Sequence, residues 1–230
     1  MRRRITKVET KQTDKRIVFE KQMEGLQRNL LKMGDLVEEA IARAIDSLKR
    51  QDLEMANTVI KNDDRIDELE LEIEEGCLAL IATQQPMARD LRKVATLFKM
   101  IGDLERMADY ASDIAKTVKH IGNQPLIKPL VDIPRMARTT QLMVKESLDS
   151  YVKEDVSLAV SMAQHDDEVD MLHKQIFREL LTVMMEDPRT ITQATHLLFI
   201  SRYLERIADH ATNIGENVVF LVTGEQRDLN

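Results

Sequence analysis

An all-α fold, built as a tandem duplication of two three-helix bundles with six long helices, is predicted by three features of this sequence. Helix breakers are scarce, with 7 Gly and 5 Pro, while charged residues reach 32% and aromatic residues only 3%, a balance that favours long amphipathic helices over strands. Apolar residues recur at spacings of three and four over most of the chain. Two motifs return in the same order about 100 residues later, the mark of an internal repeat.

The first helix carries the stripe Phe19, Met23, Leu26, Leu30, Met33, Val37, Ile41, Ala44 and Leu48. Asp52 is placed to N-cap a second helix that runs through Ile66, Leu69 and Ile73 toward Ala82, until Gln85-Pro86 breaks the pattern. A third helix from about Met87 to Lys119 has the seam Val94, Leu97, Ile101, Leu104, Ala108, Ala111, Ala115 and Val118, whose small residues permit close packing. Gly122, Pro125, Pro129 and Pro134 then form the densest group of breakers in the chain, so the boundary is placed there.

The same programme follows the boundary. A helix from about Arg135 to Tyr151 precedes one from about Asp155 to Met185, and Asp187-Pro188 supplies an N-cap and an N1 proline for a last helix ending near Thr223-Gly224. The predicted organisation is a basic, solvated and disordered arm over 1–16, a first bundle over 17–121, a linker over 122–134 and a second bundle over 135–224. A chain of 230 residues is long enough for one core or two small ones, and the repeat points to two.

Charge and cysteine usage narrow the function. The net charge of −7 argues against a nucleic-acid groove, which needs clustered Lys and Arg to replace phosphate counterions. The arm stands apart from that balance, with seven basic and two acidic residues among its sixteen. The single Cys77 lies in an apolar stretch, where it packs as a small hydrophobe and points to a reducing cytoplasm. No apolar run approaches the roughly 18 residues of a spanning helix, and no signal-peptide core follows the N-terminal arginines. The chain is read as soluble and not secreted.

The repeat itself carries the candidate chemistry. Leu104-Glu105-Arg106-Met107-Ala108-Asp109 returns as Leu204-Glu205-Arg206-Ile207-Ala208-Asp209, and Asp63-Asp64-Arg65-Ile66-Asp67 returns as Asp166-Asp167-Glu168-Val169-Asp170. Glu105, Asp109 and Asp113 are spaced to line one helix face, as are Glu205, Asp209 and Asn213. Asp63 with Asp67, and Asp166 with Asp170, form partner faces one helix earlier. If the two helices are antiparallel neighbours, both stripes meet on one surface with four or more carboxylates, oxygen ligands suited to a hard or borderline cation. A solvated face has the same pattern, and a packing or partner-binding role would keep it in both copies equally well. His210 follows Asp209 as a candidate nitrogen ligand, although its counterpart is Tyr110. The sequence contains no nucleotide-binding glycine loop, no H-E-x-x-H and no visible catalytic centre, so the chain is read as not an enzyme.

The paired L-E-R-[MI]-A-D and D-D-x-[IV]-D motifs, with the Gln85-Pro86-x-x-Arg89-Asp90-Leu91-Arg92 opening of the third helix, resemble the PhoU family over residues 17–224. That resemblance implies a cytoplasmic negative regulator of phosphate uptake and phosphate-starvation signalling, peripheral to the inner membrane through its partners. The implied partners are the ATPase subunit of a phosphate ABC transporter, a membrane sensor histidine kinase and a second copy in a homodimer. It also implies iron or zinc, or another divalent cation, on the acidic pairs. Two departures stand out: Ala108 and Ala208 occupy positions where the family often has Gly, and Asp113 differs from Asn213. Two other readings compete: a ferritin-like metal-carboxylate enzyme, which needs the E-x-x-H pairs this chain lacks, and a metal-free helical scaffold.

Overall fold

The computed structural model describes the backbone of residues 2–229 and the side chains of residues 16–229. Among them are eight α-helices and no strand: α1 (Arg2–Arg50), α2 (Leu53–Asn62), α3 (Asp64–Gln84), α4 (Arg89–Ile121), α5 (Asp132–Lys153), α6 (Val156–Ala163), α7 (Asp166–Glu186) and α8 (Ile191–Thr223). A 3-10 turn, Pro188–Thr190, leads into α8 and is capped by the Asp187 carboxylate, which accepts from the Arg189 amide. The backbone of α1 is continuous from Arg2, so the basic arm expected to be disordered continues this helix.

The duplication is visible in the turns. After α1 the chain turns at Gln51 in the left-handed region (φ 52), and Asp52 then accepts from the Glu54 and Met55 amides to cap α2. After α5 the same turn is made by Glu154 (φ 48) and Asp155, whose carboxylate accepts from the Ser157 and Leu158 amides. In both turns the aspartate amide donates back to a serine carbonyl at 2.9 Å, Ser47 in the first and Ser150 in the second. Each turn thereby satisfies the end of one helix and the start of the next.

The predicted middle helices are interrupted. Instead of running from Asp52 toward Ala82, the element breaks at Asp63, whose carbonyl accepts from both the Ile66 (2.7 Å) and Asp67 (3.2 Å) amides. The second copy breaks at Gln164-His165, with the His165 carbonyl bonded by Glu168 and Val169. Each break tightens one turn and leaves a fresh helix start within the acidic motif, at Asp64 in the first copy and Asp166 in the second. The six-helix plan therefore holds with each middle helix in two pieces.

The long helices α1, α4, α5 and α8 form the centre, with α2 and α3 packed on α1 and α4, and α6 and α7 packed on α5 and α8. Where two separate cores were expected, the buried apolar residues of both bundles join in one continuous core, chiefly through α4 against α8 and α1 against α5. Helices α4 and α8 run antiparallel, since Lys99 lies over Phe220 while His120 stacks on His196 at 5.7 Å. The linker is shorter than expected because α5 opens at Asp132, with Pro134 in its first turn where a missing N–H costs nothing. Gln193 of α8 holds that linker, accepting from the Ile127 amide and donating to the Pro125 carbonyl. Cys77 is fully buried, and burial pushes its thiol up to about 12.

Candidate functional site

Two grooves run between neighbouring helices, α3 with α4 in the first bundle and α7 with α8 in the second. The break at Asp63 starts α3 with its carboxylate free of any capping hydrogen bond, and Asp67 follows one turn later on the same face. Across the groove α4 presents Glu105 and Asp109. The proximity is electrostatic as well as geometric: burial raises Asp63 and Asp67, and the charge of Asp109 raises both further. Glu105 is pushed up to about 7, first by burial and then by Asp109, against the opposing charge of Arg106. Glu70 completes this groove; it too is raised, by burial and by Glu74 and Asp67.

The second groove repeats the arrangement with Asp166, Asp170, Glu205 and Asp209. Asp166 is pushed up to about 6 by burial, then by Asp209 and Asp170. Glu205 is raised by burial and by Asp209, with Arg202 opposing. His173 stands where the first groove has Glu70; its Nδ1 lies 3.1 Å from Ser201 Oγ, and burial lowers its pKa.

Among the described residues no three His, Cys, Asp or Glu side chains are gathered into a ready-made metal site. The carboxylates are turned to cations of the chain. Arg106 donates to Asp109 at 3.1 Å and lies 3.5 Å from Glu105. In the second groove Arg206 reaches Asp209 at 2.9 Å, Lys174 reaches Asp170 at 2.9 Å, and Arg202 pairs with Glu205. Two buried carboxylate oxygens of the second groove, Asp166 Oδ1 and Glu205 Oε2, receive no hydrogen bond, whereas in the first groove the Ser112 hydroxyl lies against Asp63 and lowers its pKa against the effect of burial. A buried carboxylate oxygen that receives no donor requires a proton or a cation. The acidic side chains of the two grooves, Asp63, Asp67, Glu70, Glu105 and Asp109 in one and Asp166, Asp170, Glu205 and Asp209 in the other, offer oxygen donors only, the chemistry a hard divalent cation takes.

Two residues of the predicted stripes lie elsewhere. Asp113 pairs with Lys116 at 2.9 Å, and its charge acts on Tyr203 of α8. Asn213 donates to Asp103 Oδ1 at 3.2 Å. An i, i+4 step advances about 40° around a helix, so two such steps carry the third residue off the groove toward the seam between α4 and α8. His210 is drawn into the same seam, with Nδ1 3.0 Å from Asp103 Oδ1, and does not face the carboxylates. Glu70 is not among the residues the sequence singles out, and His173 there is one of several histidines that form no duplicated cluster, although each sits three residues after the last aspartate of its motif, a spacing that continues the face.

Fold and grooves together define the class: a tandem helical-bundle protein with one carboxylate-lined groove in each repeat. The PhoU domain model matches residues 30–118 and again 133–218, and the chain belongs to the PhoU family. It is 43% identical over 216 residues to the phosphate-specific transport system accessory protein PhoU homolog of Clostridium acetobutylicum, covering 94% of this chain and 99% of that protein. The crystal structure of PhoU from Pseudomonas aeruginosa superimposes with a TM-score of 0.86 at 39% identity, covering 90% of this chain and all of that one. The phosphate transport system regulatory protein PhoU from Streptococcus pneumoniae gives 0.85 at 33% identity, over 91% and 99%.

Proposed function

We propose that this chain is an accessory regulator of phosphate transport that represses uptake and phosphate-starvation signalling by binding partners in the cytoplasm. The reading is carried by one observation: relatives 43% identical over nearly their whole length are named as homologs of the phosphate-specific transport system accessory protein PhoU. The partners proposed are the ATPase subunit of the phosphate ABC transporter and a membrane sensor histidine kinase, with a second copy of the chain in a homodimer. Among the described residues no helix is long and apolar enough to cross a membrane, which accords with attachment through partners.

The two grooves are proposed to hold divalent cations such as iron or zinc. A bound cation would supply positive charge to the carboxylate ladder. The residues of the chain do the rest: Asp63 and Asp67 on α3, with Glu105 and Asp109 on α4, present oxygens from two helices to one place, and their second-bundle counterparts do the same. Arg106 pairs with Asp109 and Arg206 with Asp209 on their own helices.

The test is affinity capture from cytoplasmic membranes with the tagged full chain. Retention of both the transporter ATPase and the kinase is expected, and charge reversal at Glu105 and Glu205 is expected to lower metal content without loss of helicity. Failure to retain either partner at physiological salt would overturn the regulatory reading.

A further inference from the structure

Helices α3 and α7 are copies of one helix, yet their solvent faces have diverged toward opposite charge. Under the offset of 103 that aligns them, Glu68, Glu72 and Glu75 of α3 correspond to Met171, Gln175 and Arg178 of α7, and Leu71 corresponds to Lys174. Both helices carry an outward stripe at spacings of three and four: Glu68, Leu71, Glu75, Leu78 and Ala82 on α3, and Met171, Lys174, Arg178, Leu181 and Met185 on α7. The five large apolar residues of these stripes range from 45% exposed at Leu181 to 77% at Met185, so neither stripe belongs to the core.

The charges on these stripes are little used within the chain. Among the described residues Glu68 and Glu75 take part in no hydrogen bond or ion pair, and the Arg178 side chain donates only to the Lys174 carbonyl, at 3.2 Å. Lys174 pairs with Asp170 at 2.9 Å but keeps 64% of its side chain exposed. A three-and-four stripe of apolar residues is the seam by which one helix packs on another, and here both seams are left facing outward with free charges between the apolar positions.

We propose that the two stripes are the halves of one interface: α3 of one copy of the chain docks on α7 of a second copy, with Leu71 and Leu78 packed against Met171, Leu181 and Met185, and Glu68 and Glu75 facing Lys174 and Arg178. This pairing rests on the second-copy reading given above and names its surfaces. The chain itself supplies the complement of each face, acidic against basic, with the small Ala82 where α7 has the long Met185. Docking α3 on α3 would set Glu75 near Glu75, and α7 on α7 would do the same with Arg178, like-charge contacts that oppose association. Docking α3 on α7 is attractive, and a two-fold axis makes the contact twice in each dimer.

The experiment follows the full chain by sedimentation velocity over a range of concentrations, with circular dichroism to verify that each variant keeps its helices. The parent is expected to self-associate, and more weakly as salt rises. Glu68→Lys with Glu75→Lys should weaken self-association about tenfold or more, and Lys174→Glu with Arg178→Glu should do the same. An equimolar mixture of these two double variants should associate again, because each then meets the opposite charge on the other, and the quadruple variant should recover alone. Leu181→Asn should weaken association with all charges intact. A parent that associates undiminished by either reversal would remove these faces while leaving the second-copy reading standing, and a mixture that stays monomeric would overturn the pairing of α3 with α7. A parent that is monomeric at every concentration would overturn the second-copy reading, and this interface with it.

Discussion

His210 and Asp103 meet across the two bundles, with Nδ1 of the imidazole 3.0 Å from Oδ1 of the carboxylate and both side chains largely buried. Asn213 donates to the same carboxylate at 3.2 Å. The repeat places Tyr110 and Tyr203 at the corresponding positions, where they stack with ring centroids 5.9 Å apart, and Tyr110 also lies 5.9 Å from the His210 ring. A polar pair and an aromatic pair therefore stand side by side in the α4/α8 seam, although both arose from one ancestral pair of positions.

Asp103→Ala leaves His210, Asn213 and Asn217 facing a lost acceptor. A cost of about 1–3 kcal/mol is expected for stranding buried polar groups, which in a chain of this size is a fall of about 2–4 °C in Tm for each kcal/mol. Thermal unfolding followed by circular dichroism reads the change, and an unaltered midpoint would show that the seam does not depend on this carboxylate.

Acidity is expected to stabilise the metal-free grooves. Glu105, held at about 7 by burial and by Asp109, keeps a proton in the folded chain that the unfolded chain releases near the ordinary carboxylate range. Asp166, at about 6, behaves alike over a narrower window. The contribution is complete below the unfolded pKa and is lost as pH rises through the folded value, so stability should fall between about pH 4.5 and 7. Urea unfolding at pH 5 and pH 8 measures this slope. Glu105→Gln should flatten it, and a variant as steep as the parent would assign the slope to other groups.

The duplicated caps should contribute equally. Asp52→Ala and Asp155→Ala each remove a carboxylate that accepts from two amides at 2.9 and 3.1 Å. Each is expected to cost about 1 kcal/mol, and the double variant their sum within about 0.5 kcal/mol. A double variant no worse than either single one would mean that the turns are held by their backbone hydrogen bonds alone.

Two glycines should respond in opposite directions. A Cβ at Gly34 on α1 would stand 2.4 Å from Leu148 Cδ1 on α5, so Gly34→Leu overfills the contact between bundles at a cost of about 1–3 kcal/mol. Gly102→Ala meets open space and should gain about 0.5–1 kcal/mol by removing a glycine from a helix interior. Equilibrium denaturation of both variants decides, and destabilisation by Gly102→Ala would show that the site is more crowded than its surroundings suggest.

Much of the fold was legible because the repeat stated it twice. Asp52 and Asp155 are caps in the sequence and caps in the structure, and the apolar stripe of α1 is buried from Phe19 to Leu48 with only Leu26 partly open. The facing of Asp63 and Asp67 toward Glu105 and Asp109 follows from helical spacing plus an antiparallel connection. The breaks at Asp63 and Gln164-His165 were not legible, since no proline or glycine marks them and the apolar period continues across. Asp113 and Asn213 were assigned to the grooves because a step of four approximates the helical period; over two steps the error is large enough to move a side chain to another interface.

The sequence by itself determined the helices, their caps, the duplication and the pairing of acidic motifs, because these depend on local spacing and on comparing the chain with itself. Only the tertiary structure decided that the two bundles share one core, that Asp103 meets His210, and which cations serve each groove, Arg202, Arg206 and Lys174 in the second and Arg106 with Lys116 in the first. Those relationships join residues about 100 positions apart, and the rotation of one helix against another that brings them together is set by the packing of the whole interior.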